Sequence, residues 1–357
     1  MVDRNRSKRK PKLTTMSDVT PRQIEWLWPG RIPLGAITLL AGPQGSGKST
    51  LVADMAASVT NTGIWPDGTN AIDGDVLLLV GEDALDSVTQ PRLSAHQAAL
   101  NRCHVLEGSV DEQGRAHWFN MADTSLLRAT LIEKPGTRLI VVDPLGSFFG
   151  SRADAHREAD VREMLSPLDE LAKEFGVAVV LVAHYRKAQG NSPGQADDAV
   201  LGSRAFVALS RSVWHLLPDP NSKERKLLLP GKFNLGIPPR GLAFSIATDE
   251  DTGVGCLHWF EGPVSLTADE VYAQLHRPSG SRQGRAQATA IALEAFLTGS
   301  VRTAGEMQRF REQHGIGRRH LDRAAQELKV VKRPGDFGGA WTWSLPKGDS
   351  EQKASSA

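Results

Sequence analysis

Apolar runs bounded by polar turns alternate with amphipathic helical segments through the first half of the chain. Each run carries Leu, Ile or Val at consecutive positions, which is typical of strands that are covered on both faces. The predicted strands span 36–41, 75–83, 137–145 and 177–185. Apolar residues at helical spacing occupy the segments 48–59, 87–100 and 155–175. This alternation predicts an α/β fold with a mostly parallel central sheet.

Shorter apolar runs in the second half of the chain predict an antiparallel extension of that sheet. They span 213–217, 226–229, 242–247 and 256–260. A later stretch, 278–284, has the Pro, Gly and Ser content of a linker. Beyond it lie helical patterns and a predicted hairpin, at 286–297, 304–314, 318–328 and 330–344. Three helices followed by a hairpin are the plan of a winged helix.

Composition divides the chain into five predicted segments. Residues 1–20 are basic with almost nothing to bury, which indicates a disordered tail that is either solvated or in contact with nucleic acid. The other segments are a large domain at 21–262, a linker at 263–284, a winged-helix-like module at 285–346 and a polar tail at 347–357. The segment 189–198 contains no residue that we expect to be buried, so a mobile loop is predicted there.

Charge and cysteine content narrow the class of protein. The 357 residues include 42 Lys and Arg against 41 Asp and Glu, so any basic surface must be local. Cys103 and Cys256 stand alone without metal-ligand spacing, which fits a reducing compartment. No apolar run approaches the roughly 20 residues that span a bilayer, and the basic start lacks the apolar core of a signal peptide. We therefore expect a cytoplasmic protein without a membrane partner.

The loop after the first predicted strand carries the most specific motif of the chain. Gly42 and Gly47 are separated by four residues and followed by Lys48 and Ser49, which is the spacing of a P-loop. Glycines let backbone N–H groups turn inward onto phosphates, and the helix that opens at Lys48 adds its positive dipole end. The predicted nucleotide-binding residues are Gly42, Pro43, Gln44, Gly45, Ser46, Gly47, Lys48, Ser49 and Thr50. The motif predicts binding of a nucleoside triphosphate, with the Ser49 hydroxyl on Mg²⁺.

Carboxylates at the ends of two predicted strands supply candidates for hydrolysis. Asp143 ends the third strand and is placed to join Ser49 in the metal shell. Glu82 and Asp83 end the second strand, and we choose Glu82 as the base that orients the attacking water, with Asp83 second. The alternative is that this pair caps the following helix.

His184 ends the fourth predicted strand, next to the loop 186–200. In this position it could contact the γ-phosphate and report its loss to that loop. The alternative is a structural histidine, which is the commoner role of a lone His.

These strand-end residues together resemble a known family. The P-loop is followed by Val-Gly-Glu-Asp at 80–83, Val-Val-Asp-Pro at 141–144, Val-Ala-His at 182–184 and a glycine-bounded segment at 231–236. Their order resembles that of the RecA-like ATPases and, within them, is most similar to hexameric helicases of the RepA type from plasmids and phages. The resemblance covers roughly 21–262 and implies a RecA-like fold, ATP and Mg²⁺ as cofactors, and a homo-oligomer, expected to be a hexamer.

The resemblance also implies charges that act across a subunit boundary. The segment 202–212 is similar to the one that carries the arginine finger in that group, so Arg211 matches the finger and Arg204 is the weaker candidate. Lys232 matches the lysine of a Lys-x-Arg/Asn-x-Gly segment found in DnaB-type and RadA-type ATPases. Asn234 stands where many members have an arginine.

Two loops are implied to bind single-stranded DNA in a central channel. They are 146–157 and 185–202, with phosphate-binding charge from Arg152, Arg157, Arg186 and Lys187. In the C-terminal module, basic side chains share one face of the third predicted helix, so this module could contact duplex DNA or a protein.

The leading hypothesis is an ATPase that moves on DNA as a helicase-type motor in replication of a plasmid, phage or other mobile element. The first alternative is a RecA-like repair or recombination factor that does not unwind DNA. The second is an ATP-gated regulator that binds DNA or a partner protein. A small-molecule kinase fits least, because no Arg-rich lid is evident.

Overall fold

The computed structural model describes two compact units, Met1–His276 and Arg277–Ala357. The description covers residues 13–149, 157–186, 194–202, 204–249, 253–276, 282–314, 316–334 and 341–346. Residues 1–12 and 347–357, which fall in the two predicted tails, lie outside it.

The first unit is built on a large mixed sheet that is covered by helices. The strands of this unit are β1 (Trp26–Trp28), β2 (Ile32–Pro33), β3 (Ile37–Gly42), β4 (Asp75–Val80), β5 (Cys103–Val105), β6 (Gly108–Val110), β7 (Ala116–Trp118), β8 (Thr137–Asp143), β9 (Ala178–His184), β10 (Ser212–Asp219), β11 (Ser222–Phe233), β12 (Leu242–Thr248) and β13 (Gly255–Trp259). The pairs β1–β2 and β6–β7 form two small sheets of their own. Its helices are α1 (Lys48–Thr60), α2 (Gln90–Ala95), α3 (Thr124–Glu133), α4 (Glu158–Phe175), α5 (Ala205–Leu209) and α6 (Ala268–Leu275).

Six parallel strands form the centre of this sheet, in the order β10-β3-β9-β8-β4-β5. Strands β11, β12 and β13 continue from β10 as antiparallel neighbours. The α/β fold with a mostly parallel sheet and an antiparallel extension is therefore confirmed. One detail is corrected: β10, which was predicted within the extension, pairs parallel to β3.

The central strands are apolar on both faces because each face is covered. In β9, Val180 and Val182 pack into the core that α1 covers, whereas Val179 and Leu181 pack into the core that α4 covers. Helix α1 contributes residues such as Leu51 to the first core. Burial on both sides explains why these strands lack polar alternation.

The register of the parallel strands brings their carboxyl ends to one edge. Gly42 at the end of β3 lies beside His184 at the end of β9. Val80 at the end of β4 lies beside Asp143 at the end of β8. The P-loop and the polar residues that follow these strands therefore share the edge where ligands bind in open α/β sheets.

Several elements between 81 and 136 differ from the predictions. The helix predicted at 87–100 is a helical turn at Leu85–Thr89 that leads into α2, which ends at Ala95. Gln97 then adopts a φ of 61°, a left-handed conformation that cannot continue a helix. Strand β5, the hairpin β6–β7 and helix α3 were not predicted.

The segment predicted as a linker contains ordered structure. Helix α6 begins with a capping box, in which Thr267 accepts from the backbone N–H of Glu270 and the Glu270 side chain accepts from that of Thr267. Val271 and Tyr272 are buried against β10 and β11 side chains such as Leu217 and Leu229. The first unit therefore continues through His276.

The loop predicted at 189–198 also carries buried residues in its described part. Residues 187–193 lie outside the description, but Ala196 is 1% exposed. Asp269 of α6 accepts a hydrogen bond from the Ala196 backbone N–H at 2.7 Å. The expectation that nothing in this loop is buried is therefore wrong at Ala196.

The second unit contains three helices and a small antiparallel sheet among its described residues. Its elements are α7 (Arg282–Leu297), β14 (Arg302–Thr303), α8 (Ala304–Gln313), α9 (Arg318–Glu327), β15 (Val331–Arg333) and β16 (Thr342–Ser344). Strand β16 lies between β14 and β15. Leu293, Phe310 and Leu321, one from each helix, are buried together. Helices were predicted at 286–297, 304–314 and 318–328 and strands at 330–344, close to these bounds.

Candidate nucleotide-binding site

The P-loop closes tightly around its two motif glycines. Gly47 has a φ of 97°, and a Cβ there would lie 2.4 Å from Cδ1 of Ile246. A Cβ on Gly42 would lie 2.3 Å from the carbonyl oxygen of Leu216. A larger residue at Gly42 would therefore displace the β10 backbone, and one at Gly47 would be strained by the left-handed φ and would push the Ile246 side chain aside.

Lys48 is held at the base of this loop. Its side chain is buried, and Nζ donates hydrogen bonds to the carbonyl oxygens of Gly42 at 3.0 Å and Pro43 at 2.8 Å. Burial lowers its pKa to about 8, and the charges of Asp143 and Glu82 oppose that shift. A phosphate oxygen in the loop would be a stronger acceptor for this ammonium than a neutral carbonyl.

Ser49 and Asp143 lie together beside Lys48. Burial raises the pKa of Asp143, while interaction with the Ser49 hydroxyl and the charge of Lys48 act in the opposite direction. A hydroxyl and a carboxylate are oxygen ligands of the kind that Mg²⁺ binds together with phosphates and water. Among the described residues no cluster of three or more His, Cys, Asp or Glu forms a protein-only metal site. These two residues therefore fit a metal ion that arrives with its nucleotide.

Glu82 and Asp83 have different surroundings, and both follow β4 rather than ending it. Asp83 accepts a hydrogen bond from Nη1 of Arg92 at 2.7 Å. Its charge also raises the pKa of Asp143. Glu82 is exposed, and its charge acts on both Lys48 and His184 by raising their pKa values.

His184 lies against the start of the P-loop. Its Nδ1 is buried and has no hydrogen-bond partner among the described residues. Burial lowers its pKa, as does the charge of Lys48, while Glu82 and Asp143 oppose the shift. A neutral imidazole has one ring nitrogen that donates a hydrogen bond, so His184 can act as a donor at this edge of the sheet.

A buried network behind His184 was not predicted. The Tyr185 hydroxyl lies 2.7 Å from Nδ1 of His215, and Nε2 of His215 lies 2.8 Å from Oδ1 of Asp197. A Cβ on Gly231 would lie 2.4 Å from the same Nε2, so this glycine makes room for the pair. The network fixes the segment after β9 to β10 and β11. A histidine within the apolar run 213–217 was the sequence signal for it.

Arg211 and Lys232 lie at the opposite edge of the sheet from the P-loop. Ser212, the neighbour of Arg211, is in register with Thr38, and β3 continues four residues further to Gly42. That is about 13 Å along a strand, further than an arginine side chain extends. Arg211 is exposed, and its charge lowers the pKa of Lys232 after the larger effect of burial. Arg204, the weaker finger candidate, pairs with Asp198 at 3.0 Å.

Lys232 closes the end of α5. Its Nζ donates to the backbone carbonyl oxygens of Val207 at 2.9 Å, Ala208 at 2.6 Å and Ser210 at 3.1 Å. A cation at this helix terminus satisfies carbonyls that have no partner within the helix. The resemblance implies that Lys232 acts across a subunit boundary. The structure shows a second role within the subunit, capping of α5, which the sequence did not reveal.

We expect Lys232→Met to lower the free energy of unfolding by about 1–3 kcal/mol, because several charge-assisted hydrogen bonds are lost. Urea denaturation followed by circular dichroism would measure this. Lys223→Met, which removes an exposed lysine from the same strand, is the matched control. Equal stability of the two variants would contradict the capping role.

The predicted DNA-binding residues are only partly described. Arg152 and Lys187 lie outside the described residues, whereas Arg157 and Arg186 are exposed. Arg157 lies 3.9 Å from Asp160. On α9, Arg319, Asp322 and Arg323 are exposed, and Asp322 lies 3.5 Å from Nζ of Lys332.

The fold and the site together define an α/β P-loop protein of the RecA-like type. The chain belongs to the AAA domain family, whose model matches residues 3–190. It is similar to the protein named DNA repair protein RadA in two strains of Mycobacterium tuberculosis, with 29% identity over 198 residues. The match covers 55% of this chain and 35% of each relative, so the chain matches about a third of the length of these relatives. No helix in the described ranges combines the length and the apolar character needed to cross a bilayer.

Proposed function

We propose that this protein hydrolyses ATP at the boundaries between identical subunits and couples hydrolysis to DNA. The observation that carries the proposal is the position of Arg211. It is an exposed cation at the edge of the sheet opposite the P-loop, and it is too far from the phosphates of its own subunit to assist there. A neighbouring subunit could bring it to them, which makes a closed homo-oligomer such as a hexamer the expected active form.

The residues at the carboxyl ends of the parallel strands then have distinct roles in hydrolysis. Backbone N–H groups of the P-loop and Lys48 hold the phosphates, and Ser49 and Asp143 hold Mg²⁺. When bound, Mg²⁺ would offset the negative charge on the β- and γ-phosphate oxygens. Glu82 orients the attacking water, and the imidazole of His184, which lies beside Gly42 at the end of β9, contacts the γ-phosphate. Arg211 of the next subunit supplies the remaining positive charge.

The coupling to DNA is supported by the relative whose name describes DNA repair and by exposed cations next to the nucleotide edge. Arg186 follows β9 directly after His184 and Tyr185, and it leads into the loop predicted to bind DNA. A change at the γ-phosphate could therefore reach that loop over two residues.

ATP turnover measured with and without single-stranded DNA, together with particle mass, tests this function. We expect oligo(dT) to raise turnover several-fold and the particle mass to be a multiple of the 38.6 kDa subunit. An excess of heparin tests whether any polyanion suffices. A fully active monomer whose turnover ignores DNA would refute the proposal, and oligomeric ATPase activity without a response to DNA would favour the ATP-gated regulator.

A test for DNA unwinding distinguishes the two DNA-related functions, a helicase-type motor and a repair or recombination factor. A helicase-type motor for a plasmid, phage or mobile element would displace a strand from forked DNA in an ATP-dependent reaction. A repair or recombination factor would bind the same DNA and hydrolyse ATP without displacement. The similarity to a DNA repair protein favours the second candidate, and the resemblance to RepA-type helicases favours the first.

The second unit fits a winged helix that contacts duplex DNA. The order of α7, α8, α9 and the β15–β16 hairpin matches that plan. Arg319 and Arg323 are exposed on α9 and could face phosphates, although the Asp322–Lys332 pair reduces the local charge. Duplex affinity that is unchanged in an Arg319→Ala, Arg323→Ala variant would assign this face to a protein instead.

A further inference from the structure

A small, partly open cavity includes the metal-binding pair in its lining. It has a volume of about 30 Å³ and is lined by two carboxylates, Asp83 and Asp143, together with Ser49 and Arg92. Thr89, the last residue of the helical turn before α2, also lines it. The rest of the wall is apolar and comes from α1, α2, β4 and β8.

Thr89 has an unusual hydroxyl within this cavity. The residue is 9% exposed, and its Oγ1 has no hydrogen-bond partner among the described residues. A buried hydroxyl without a partner is unfavourable, so native structures rarely keep one unless water or an ion supplies the missing hydrogen bond. A water molecule would supply it for Thr89.

Water fits both the size and the chemistry of this space. A cavity needs about 10–15 Å³ of accessible volume to hold one water molecule, and buried waters bind two to four polar groups. Dry cavities have apolar walls, whereas this one includes carboxylates and hydroxyls. A water bound to Thr89 would have the oxygen atoms of Asp143, Asp83 and Ser49 on the same cavity wall.

We propose that Thr89 holds a water molecule that belongs to the hydration shell of the magnesium ion bound by Ser49 and Asp143. Thr89 is then a positioning residue for the metal, and Arg92 keeps Asp83 turned toward the same water through their 2.7 Å contact. This inference rests on the proposed nucleotide function, because it needs the metal to arrive with a nucleotide. It assigns a task to a residue that has no direct contact with phosphate.

Metal binding in the presence of ADP tests the proposal without using catalysis. Free Mn²⁺ is measured by electron paramagnetic resonance while the protein–ADP complex is titrated. We expect Thr89→Val to weaken Mn²⁺ binding about tenfold, the lower end of the effect seen when groups that support metal ligands are removed. Thr89→Ser keeps the hydroxyl and should remain within about twofold of the unmodified protein, and ADP affinity without metal should not change.

Thr38→Val is the matched control for this experiment. Thr38 is also a buried threonine whose Oγ1 has no partner among the described residues, but it lines a separate cavity of about 10 Å³ near Trp28 and Trp214. Its replacement should leave Mn²⁺ binding unchanged. If Thr89→Val does not fold, Thr89→Ala takes its place with the same expected loss.

The possible failures are distinguishable. Normal Mn²⁺ binding by Thr89→Val, or an equal loss in Thr38→Val, would overturn the role of Thr89 and leave the nucleotide site standing. Absence of ADP binding by the unmodified protein would overturn the proposed function together with this inference. Loss of metal in Thr89→Val with retention in Thr89→Ser and Thr38→Val would support it.

Discussion

Replacing Arg211 with alanine should lower ATP turnover about 10³-fold or more while ATP binding stays unchanged, because arginine fingers contribute roughly 10³–10⁵ in rate. The side chain is exposed at the edge of the sheet opposite the P-loop, so it makes no contact with nucleotide bound to its own subunit. Steady-state phosphate release and the equilibrium affinity for a fluorescent ATP analogue would measure the two quantities separately.

Mixing variants shows whether the arginine acts on a neighbour. Subunits with Arg211→Ala keep an intact P-loop, and subunits with Lys48→Ala keep an intact Arg211. Mixed oligomers contain boundaries that combine both intact halves, so they should recover part of the activity. No recovery at any ratio would contradict a shared site. Arg204→Ala is the matched comparison, since Arg204 is also exposed but pairs with Asp198; a 10³-fold loss there instead would move the finger to Arg204.

The centre of the fold could be predicted because its strands are buried on both faces. Strands β3, β4, β8 and β9 each present six or seven residues that are mostly buried, and no polar alternation obscures them. Parallel strands also align their carboxyl ends, so the grouping of Lys48, Asp143 and His184 followed from the sequence. At these positions the apolar pattern of each strand and the alignment of the strands in the sheet both predict the same site.

The missed elements are short and have little apolar pattern of their own. Strand β5 has three residues that are all half-buried, and the hairpin β6–β7 is largely exposed, so neither has an apolar pattern to detect. Helix α6 was missed because the predicted linker, 263–284, extended well before the Pro, Gly and Ser-rich stretch at 278–284. Its capping box, Thr267 followed three residues later by Glu270, was a readable signal for a helix start.

The supporting residues of the site could not be found from spacing. Arg92 reaches Asp83 only because the helical turn 85–89 directs α2 back toward β4. His215 meets Tyr185 and Asp197 because β10 pairs with β3 rather than with the antiparallel strands alone. Thr89 was unremarkable in sequence, and only its burial without a partner draws attention to it.

Replacing Glu82 with glutamine should abolish most hydrolysis without loss of nucleotide. A positioned general base contributes typically 10²–10⁴ in rate, so we expect turnover to fall by about that factor. Glutamine keeps the size of the side chain and removes the charge, so folding and ATP affinity should change little at this exposed position. Single-turnover hydrolysis of bound ATP would measure the chemical step directly.

Asp83→Asn is the matched variant, because it makes the same chemical change in the adjacent residue. Asp83 is engaged by Arg92, and since both side chains are partly exposed, loss of this ion pair should cost no more than about 1 kcal/mol of stability. We expect its effect on hydrolysis to be less than tenfold, since Glu82 rather than Asp83 acts on Lys48 and His184. If Glu82→Gln hydrolyses ATP normally and Asp83→Asn does not, the base is Asp83, and Arg92 must release it before the water is activated.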